Sequence, residues 1–190
     1  MTQTTTSSPT SSTSARKSSK GGKHNKRRLI LQPLMFEPVN TYLLTERGNP
    51  NYQSVLVREY FTPKLHRRLL VGRFVNQMWA WDDSHHYWIR LKVRSLLSPA
   101  MKNKYIRQAY PLVDVTREIE GKTIHESIYC HRLMAAVWCP NPDPEHRTQV
   151  DHLNGDINDY SQFNLEWVTP EENIRRAVAM RRARKKQLTN

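Results

Sequence analysis

The sequence predicts an α+β protein. A disordered basic arm comes first, a small antiparallel sheet module precedes a strand–loop–strand–helix motif, and a basic helix comes last. Three observations predict this architecture. Apolar and polar residues alternate at several places between residues 89 and 129. A polar, turn-rich loop separates two short runs at 149–152 and 165–168. The net charge of +13 lies at the two ends, because residues 1–28 and 175–190 each carry seven Lys or Arg and no acid.

The N-terminal segment has the composition of a disordered arm. Residues 1–20 contain thirteen Ser or Thr and no Leu, Ile, Val or aromatic residue. Such a segment buries too little apolar surface to offset the entropy lost on ordering. We therefore predict that residues 1–28 form a flexible arm that contacts a nucleic-acid backbone without sequence preference.

The composition also excludes several classes of protein. Apolar runs such as 133–139 cover only a few residues, whereas a membrane span needs about 20. The N-terminus lacks the apolar core of a signal peptide. Cys130 and Cys139 are too few for a disulfide framework or a four-cysteine zinc site. We expect a protein of the cytoplasm that does not enter a membrane.

Residues 29–88 form a foldable region whose role the sequence does not disclose. Strands are predicted at 40–44 and 53–60, and a short helix is predicted at 65–78. The region ends in an aromatic cluster, Trp79, Trp81, Tyr87 and Trp88. These rings could stack on bases, but the favoured interpretation is that they supply core area in a small domain.

Residues 89–130 predict the small antiparallel sheet module. Strands are expected at 89–93, 108–115 and 123–129, with a turn at Glu120-Gly121-Lys122. A helix follows at 131–138 and is ended by the proline-rich segment that begins at Pro140. The predicted divisions of the chain are 1–28, 29–88, 89–130 and 131–190.

The last division begins a second helix with several agreeing signals. Thr169 suits the N-cap, Pro170 the first helical position, and Glu172 stands three residues after the cap. Asn173 then falls in or next to the first turn. Polar residues therefore lie at a strand end and at a helix start, where they can converge.

Four polar residues of this motif suit phosphodiester chemistry. Asp151 and Asn173 offer hard oxygen ligands, which favour one Mg²⁺ or Mn²⁺ ion with open positions for water and phosphate. His152 can take a proton from water near neutral pH. Neighbouring strand residues face opposite ways, so the strand must end or distort at Asp151 and His152. Asn164 is suited to hold the loop against backbone groups.

This stretch resembles the HNH endonucleases with the ββα-metal motif, in particular the phage and intron-encoded homing type. The resemblance rests on Asp151-His152, on Asn164-Leu165-Glu166-Trp167-Val168-Thr169 and on Glu172-Asn173. Cys139-Pro140-Asn141-Pro142 looks like the linker that precedes the motif in that group. The resemblance covers roughly residues 120–178, weakens across 89–119 and is absent before Trp88.

The resemblance implies a role for each matched residue. His152 would be the general base and Asn164 the residue that holds its loop. Asp151 and Asn173 would bind the metal ion, with Asn in place of the His of many relatives. His131 has two possible roles, a contact with a phosphate or a hydrogen bond at the start of a helix. The hydrogen bond, a structural role, is the favoured interpretation.

The C-terminal helix is predicted to lie along DNA. An apolar stripe of Ile174, Ala177 and Val178 would pack on the motif. Basic residues occupy the other faces and would contact the DNA backbone: Arg175, Arg176, Arg181, Arg182, Arg184, Lys185 and Lys186.

These features together predict a magnesium- or manganese-dependent DNA endonuclease of a phage or mobile element, acting in the cytoplasm of a bacterial host. One site per chain favours a monomer that nicks one strand, whereas a dimer would cut both. Two alternatives stay open. The chain could be a nucleic-acid-binding protein that keeps the HNH scaffold without cleavage, or a regulator that reads DNA through residues 29–88.

Overall fold

The computed structural model describes residues 29–34, 40–47, 51, 53–95 and 110–187. The predicted disordered arm over 1–28 lies outside the described residues. In the described part, eleven strands form three antiparallel sheets and two α-helices accompany them. No helix in these ranges combines the length and the apolar character that crossing a membrane requires.

The first sheet is a six-stranded antiparallel meander with its strands in chain order. It comprises β1 (Leu29–Pro33), β2 (Thr41–Glu46), β3 (Val55–Phe61), β4 (Arg68–Gly72), β5 (Met78–Asp82) and β6 (Tyr87–Arg90). The strands predicted at 40–44 and 53–60 are confirmed as β2 and β3. Trp79 and Trp88 are buried, so the core interpretation of the aromatic cluster is confirmed for these two rings.

The helix predicted at 65–78 is wrong, because β4 and a turn occupy this range. Both faces of β4 are covered. Leu69 and Val71 pack into one hydrophobic cluster and Leu70 into another. A strand that is buried on both sides reads as a continuous apolar run rather than an alternation, and such a run resembles a buried helix segment.

The second sheet contains β7 (Val93–Ser95), β8 (Pro111–Ile119) and β9 (Lys122–Tyr129). Glu120 and Gly121 both have positive φ, 51° and 72°, which is the two-residue turn that suits an antiparallel hairpin. The single strand predicted at 89–93 is wrong. The chain leaves the first sheet after Arg90 and enters the second at Val93.

Helix α1 (Cys130–Trp138) follows β9 directly and confirms the helix predicted at 131–138. Five of its residues belong to the larger hydrophobic cluster, which we call the central core: Cys130, Leu133, Met134, Ala135 and Trp138. Leu69 of the first sheet belongs to the same cluster. The Trp138 indole N–H donates to the Val71 carbonyl at 3.0 Å. Each large apolar side chain buried in this way stabilises the fold by about 1.5–3 kcal/mol.

The third sheet is the hairpin of β10 (Gln149–His152) and β11 (Leu165–Val168), and α2 (Pro170–Gln187) follows it. A short 3₁₀ helix, Gln162–Asn164, leads into β11. Val150 and Leu165 anchor the hairpin in the central core. Sequence therefore located these elements correctly, and the core fixes the hairpin against α1.

The predicted α+β fold class, a small sheet module followed by a ββα-metal motif, is wrong for the molecule. The described chain is mainly antiparallel sheet, and its largest sheet is the six-stranded one formed by residues 29–90. This sheet comes from the region that the sequence left without a role. Its strands β2 and β3 were predicted, whereas β4 and β5 were not, because both of these are covered on both faces.

Candidate active site

The β10–β11 hairpin carries the residues predicted for catalysis. β10 ends at His152, where the sequence predicts the strand to end. The pairing is regular, with Asp151 opposite Glu166 and His152 opposite Leu165. Because successive strand residues point to opposite faces, Asp151 lies on the face toward α2, near Arg176, and His152 on the face toward α1, near His131. The strand is regular through both residues, so the structure does not bring these two side chains onto one face, contrary to the expectation from the sequence.

Asn164 holds the loop that follows His152. Its side-chain oxygen accepts from the Asn154 backbone N–H at 3.0 Å. Its amide nitrogen donates to the Asn154 side chain at 2.9 Å and to the Asp159 carbonyl at 2.7 Å. Its carbonyl accepts from Leu153 N–H at 2.9 Å. Asn164 is itself buried, so the loop geometry is fixed from inside.

His152 is buried, with 4% of its surface exposed. Its ring lies 5.2 Å from the ring of His131 and 6.0 Å from that of Tyr110, measured between centroids. Within the described residues its Nε2 atom has no hydrogen-bond partner. Burial lowers the pKa of His152 below its usual value, while the carboxylates of Asp151 and Asp159 act in the opposite direction.

His131 lies at the start of α1 and is also buried. Its ring packs against Tyr110 and Tyr129, with centroids 4.8 and 5.8 Å away. Its Nδ1 atom makes no hydrogen bond within the described ranges. Burial lowers the pKa of His131 to about 4, with smaller contributions from the charges of His152 and Arg132.

The first turn of α2 is fixed by a reciprocal cap. The Glu172 backbone N–H donates to the Thr169 hydroxyl at 3.2 Å, and the Thr169 N–H donates to the Glu172 carboxylate at 3.1 Å. This confirms the predicted capping box. One position later, the Asn173 amide donates to the Gln149 side chain at 2.5 Å. Gln149 shares a strand face with Asp151, so Asn173 lies over the same face.

A guanidinium already contacts the predicted metal ligand Asp151. Arg176 Nη1 lies 2.8 Å from a Glu166 oxygen and 3.5 Å from an Asp151 oxygen. The hydrogen bond to Glu166 raises the pKa of Arg176 above its usual value. Arg176 was predicted as a DNA contact, whereas its guanidinium here bridges two strands of the hairpin.

The donor chemistry fits a hard divalent cation. Asp151 supplies a carboxylate and Asn173 an amide oxygen, and Mg²⁺ often binds through one or two protein oxygens while water and phosphate complete its shell. Within the described residues no group of three or more His, Cys, Asp or Glu is arranged to hold a metal ion. Asp151 and Asn173 lie over the same face of the hairpin, so they are the residues that could supply two oxygen donors there.

The remaining basic residues of α2 lie on its exposed surface: Arg175, Arg181, Arg182, Arg184, Lys185 and Lys186. The predicted apolar stripe does not pack as a core face, because Ile174 is 66% exposed and Val178 36%. α2 contacts the loop after His152 instead. A Cβ built on Gly155 would lie 2.9 Å from the Met180 sulfur, so glycine permits this close approach.

Sequence reasoning missed two residues that shape the site, Glu166 and Arg147. Glu166 faces Asp151 across the hairpin. Arg147 donates to the Trp167 carbonyl at 2.9 Å and lies 3.5 Å from Glu172, so it ties β11 to the first turn of α2. The register of the two predicted strands would have found Glu166, but no local signal marks Arg147.

Part of the chain is similar to a protein from Acanthamoeba polyphaga mimivirus named "Uncharacterized HNH endonuclease L247". The two are 50% identical over 48 residues, which cover 25% of this chain and 12% of the viral protein. The chain thus spans a small part of that relative's length. No protein-family model matches the chain, and no solved structure matches it.

Proposed function

We propose that the chain is a metal-dependent HNH endonuclease that hydrolyses DNA phosphodiester bonds. The observation that carries the proposal is the β10–β11 hairpin, which bears Asp151, His152 and Asn164 and to which Asn173 is hydrogen-bonded. The partial similarity to a viral protein with an HNH endonuclease name supports the same reaction class. The motif and its Pro-Asn-Pro linker favour the homing type of phages and mobile elements.

His152 is the general base in this proposal. Burial lowers its pKa, so the imidazole is neutral near pH 7 and a ring nitrogen can accept a proton from the attacking water. The carboxylates of Asp151 and Asp159 then stabilise the imidazolium that forms. Asn164 keeps the adjoining loop in place through its three side-chain hydrogen bonds.

Asp151 and Asn173 would hold one Mg²⁺ or Mn²⁺ ion, which supplies positive charge for the phosphate and the leaving 3′ oxygen. The exposed basic residues of α2 bind the DNA backbone and set the strand across the hairpin. One site per chain makes a nick in one strand the expected product of a monomer.

A second candidate function is DNA binding without cleavage. Two observations favour it: the Nε2 atom of His152 is buried, and Arg176 contacts the Asp151 carboxylate. Both groups must change their surroundings before they can act on a phosphate. A binding protein would need neither change, since the basic surface of α2 suffices for backbone contacts.

The test is cleavage of supercoiled plasmid by the full chain in Mg²⁺, in Mn²⁺ and in EDTA, with His152→Ala beside it. We expect open circles that require the metal ion, and a loss of at least a hundredfold in rate for His152→Ala. The matched control is His125→Ala, which removes an exposed histidine of β9 and is expected to leave the rate unchanged.

The products also separate the alternatives. Linear DNA formed in one step would indicate paired active sites and a dimer. A folded chain that binds a range of DNA sequences and cuts none of them would establish the binding protein instead. His152→Ala is expected to keep its DNA affinity in either case, because backbone contacts carry the binding.

A further inference from the structure

Arg176 occupies a position between two carboxylates that face each other across the hairpin. A single atom, Nη1, lies 2.8 Å from Glu166 Oε2 and 3.5 Å from Asp151 Oδ2. Asp151 and Glu166 are directly paired residues of β10 and β11. The Asp151 carboxylate is largely buried, with 15% of the side chain exposed, while that of Glu166 is 42% exposed. The guanidinium thus supplies the positive charge that faces the more buried acid.

This ion pair is not what places α2 on the hairpin. The capping box of Thr169 and Glu172 fixes the first turn. Asn173 bonds to Gln149 at 2.5 Å, and Arg147 links Trp167 to Glu172. Arg176, three residues after Asn173, adds a contact one turn later. Since other bonds hold the helix, the Asp151 contact can open without releasing α2.

We infer that Arg176 and the catalytic cation compete for Asp151, so that Arg176 controls when the site takes up a divalent ion and Glu166 retains the guanidinium once it has left. The inference rests on the proposed function, because it assumes that Asp151 is a cation ligand. A divalent ion binds its carboxylate oxygen at about 2.1 Å. An arginine within 3.5 Å of the same carboxylate repels that ion.

Two features of the site favour competition over joint occupancy. The Arg176 contact with Asp151 is longer than the contact with Glu166, so the Asp151 side of the bridge is the weaker one. Glu166 is the more exposed acid and offers the guanidinium a partner away from the cation. A shift of Arg176 onto Glu166 alone therefore lengthens its distance from Asp151 and weakens the repulsion, while its charge stays paired.

The experiment measures Mn²⁺ binding to the DNA-free full chain by electron paramagnetic resonance, so no cleavage is required. Arg176→Met removes the competing charge and keeps an unbranched side chain. We expect this variant to bind Mn²⁺ about five- to tenfold more tightly. The substitution removes both a partly exposed ion pair that competes for Asp151 and a positive charge that repels the ion, and together these correspond to about this change in affinity. The matched control is Arg175→Met, which removes an exposed charge from the same turn and should change the affinity less than about twofold.

Two further variants separate charge from packing and separate this inference from the proposed function. Arg176→Lys keeps the charge and should bind Mn²⁺ within about twofold of the unaltered chain; a gain as large as that of Arg176→Met would overturn the inference. Asp151→Asn should lose Mn²⁺ binding. If it does not, the proposed metal site fails. If Asp151→Asn loses Mn²⁺ binding but Arg176→Met leaves the affinity unchanged, only the inferred competition is wrong and the nuclease proposal stands.

Discussion

At the scale of single residues, two buried histidines lie side by side at the proposed site. His131 and His152 are both more than nine-tenths buried, and each has one ring nitrogen without a partner in the described ranges. Burial favours the neutral form of each ring. A neutral His131 places no positive charge at its position 5.2 Å from the His152 ring, so it does not oppose protonation of His152.

The buried His131 makes the fold sensitive to acid. Its pKa is about 4 in the folded chain and about 6.5 when unfolded, so below pH 6.5 the unfolded state binds more protons. The contribution of His131 to the free energy of unfolding is therefore fully present above pH 6.5 and is lost as the pH drops toward 4. Between pH 7 and pH 5 we expect this residue to account for a loss of about 2 kcal/mol in the free energy of unfolding.

Urea unfolding at a series of pH values checks this expectation. His131→Gln removes the titrating group, so its stability should fall less steeply between pH 7 and pH 5 than that of the unaltered chain. All other titrating groups are common to the two proteins. If the free energy of unfolding of the two proteins depended on pH in the same way, burial would not lower the pKa of His131 in the folded state.

At the scale of elements, the sequence predicted those parts whose signals are local. The start of α2 is indicated by three residues within a span of four, Thr169, Pro170 and Glu172. In the structure the helix begins at Pro170. The turn between β8 and β9 is likewise predicted by a local signal, Glu120-Gly121. The strand β4 lacked such a signal, because tertiary packing on both of its faces erased the alternation.

The cap of α2 can be tested by one substitution. Thr169→Ala removes the hydroxyl that accepts from Glu172 N–H and should lower the free energy of unfolding by about 1 kcal/mol. Thr148→Ala is the matched control, because this exposed threonine lies just before β10 and caps no helix. Thermal or urea unfolding compares the two variants, and equal losses would argue against the cap as the source of stability.

The same cap has a functional consequence that the sequence did not reveal. It fixes the first turn of α2, and the next residues, Asn173 and Arg176, contact Gln149 and Asp151. The sequence indicated Asp151, His152, Asn164 and Asn173 as candidate site residues, through their donor chemistry and the motif they resemble. The ion pairs around them could not be predicted in this way. Glu166 and Arg147 become neighbours of the site only through strand register and through the fold of the 139–149 connection.

At the scale of the whole molecule, the hairpin is one small part of a mainly antiparallel structure. The central core joins Leu69 of β4, Val113 of β8, Leu133 of α1 and Leu165 of β11. Since α1 contributes both to this core and, through His131, to the surroundings of His152, the sheets support the geometry of the site. The sequence did not foretell this, because contacts between distant segments leave no periodic signal.

If the chain binds DNA as proposed, its charge distribution predicts how that binding depends on salt. The last turns of α2 bear five exposed basic residues, Arg181, Arg182, Arg184, Lys185 and Lys186. Each phosphate contact contributes about 0.9 to the slope of the logarithm of the binding constant against that of salt concentration. If each of the five contacts one phosphate, changing all of them to Gln should reduce the magnitude of this slope by about 4.5, measured by fluorescence anisotropy on one duplex. Lys64→Gln with Lys122→Gln, which removes exposed lysines elsewhere, should leave the slope almost unchanged. An equal reduction per charge in both variants would mean that net charge, and not α2, binds the backbone.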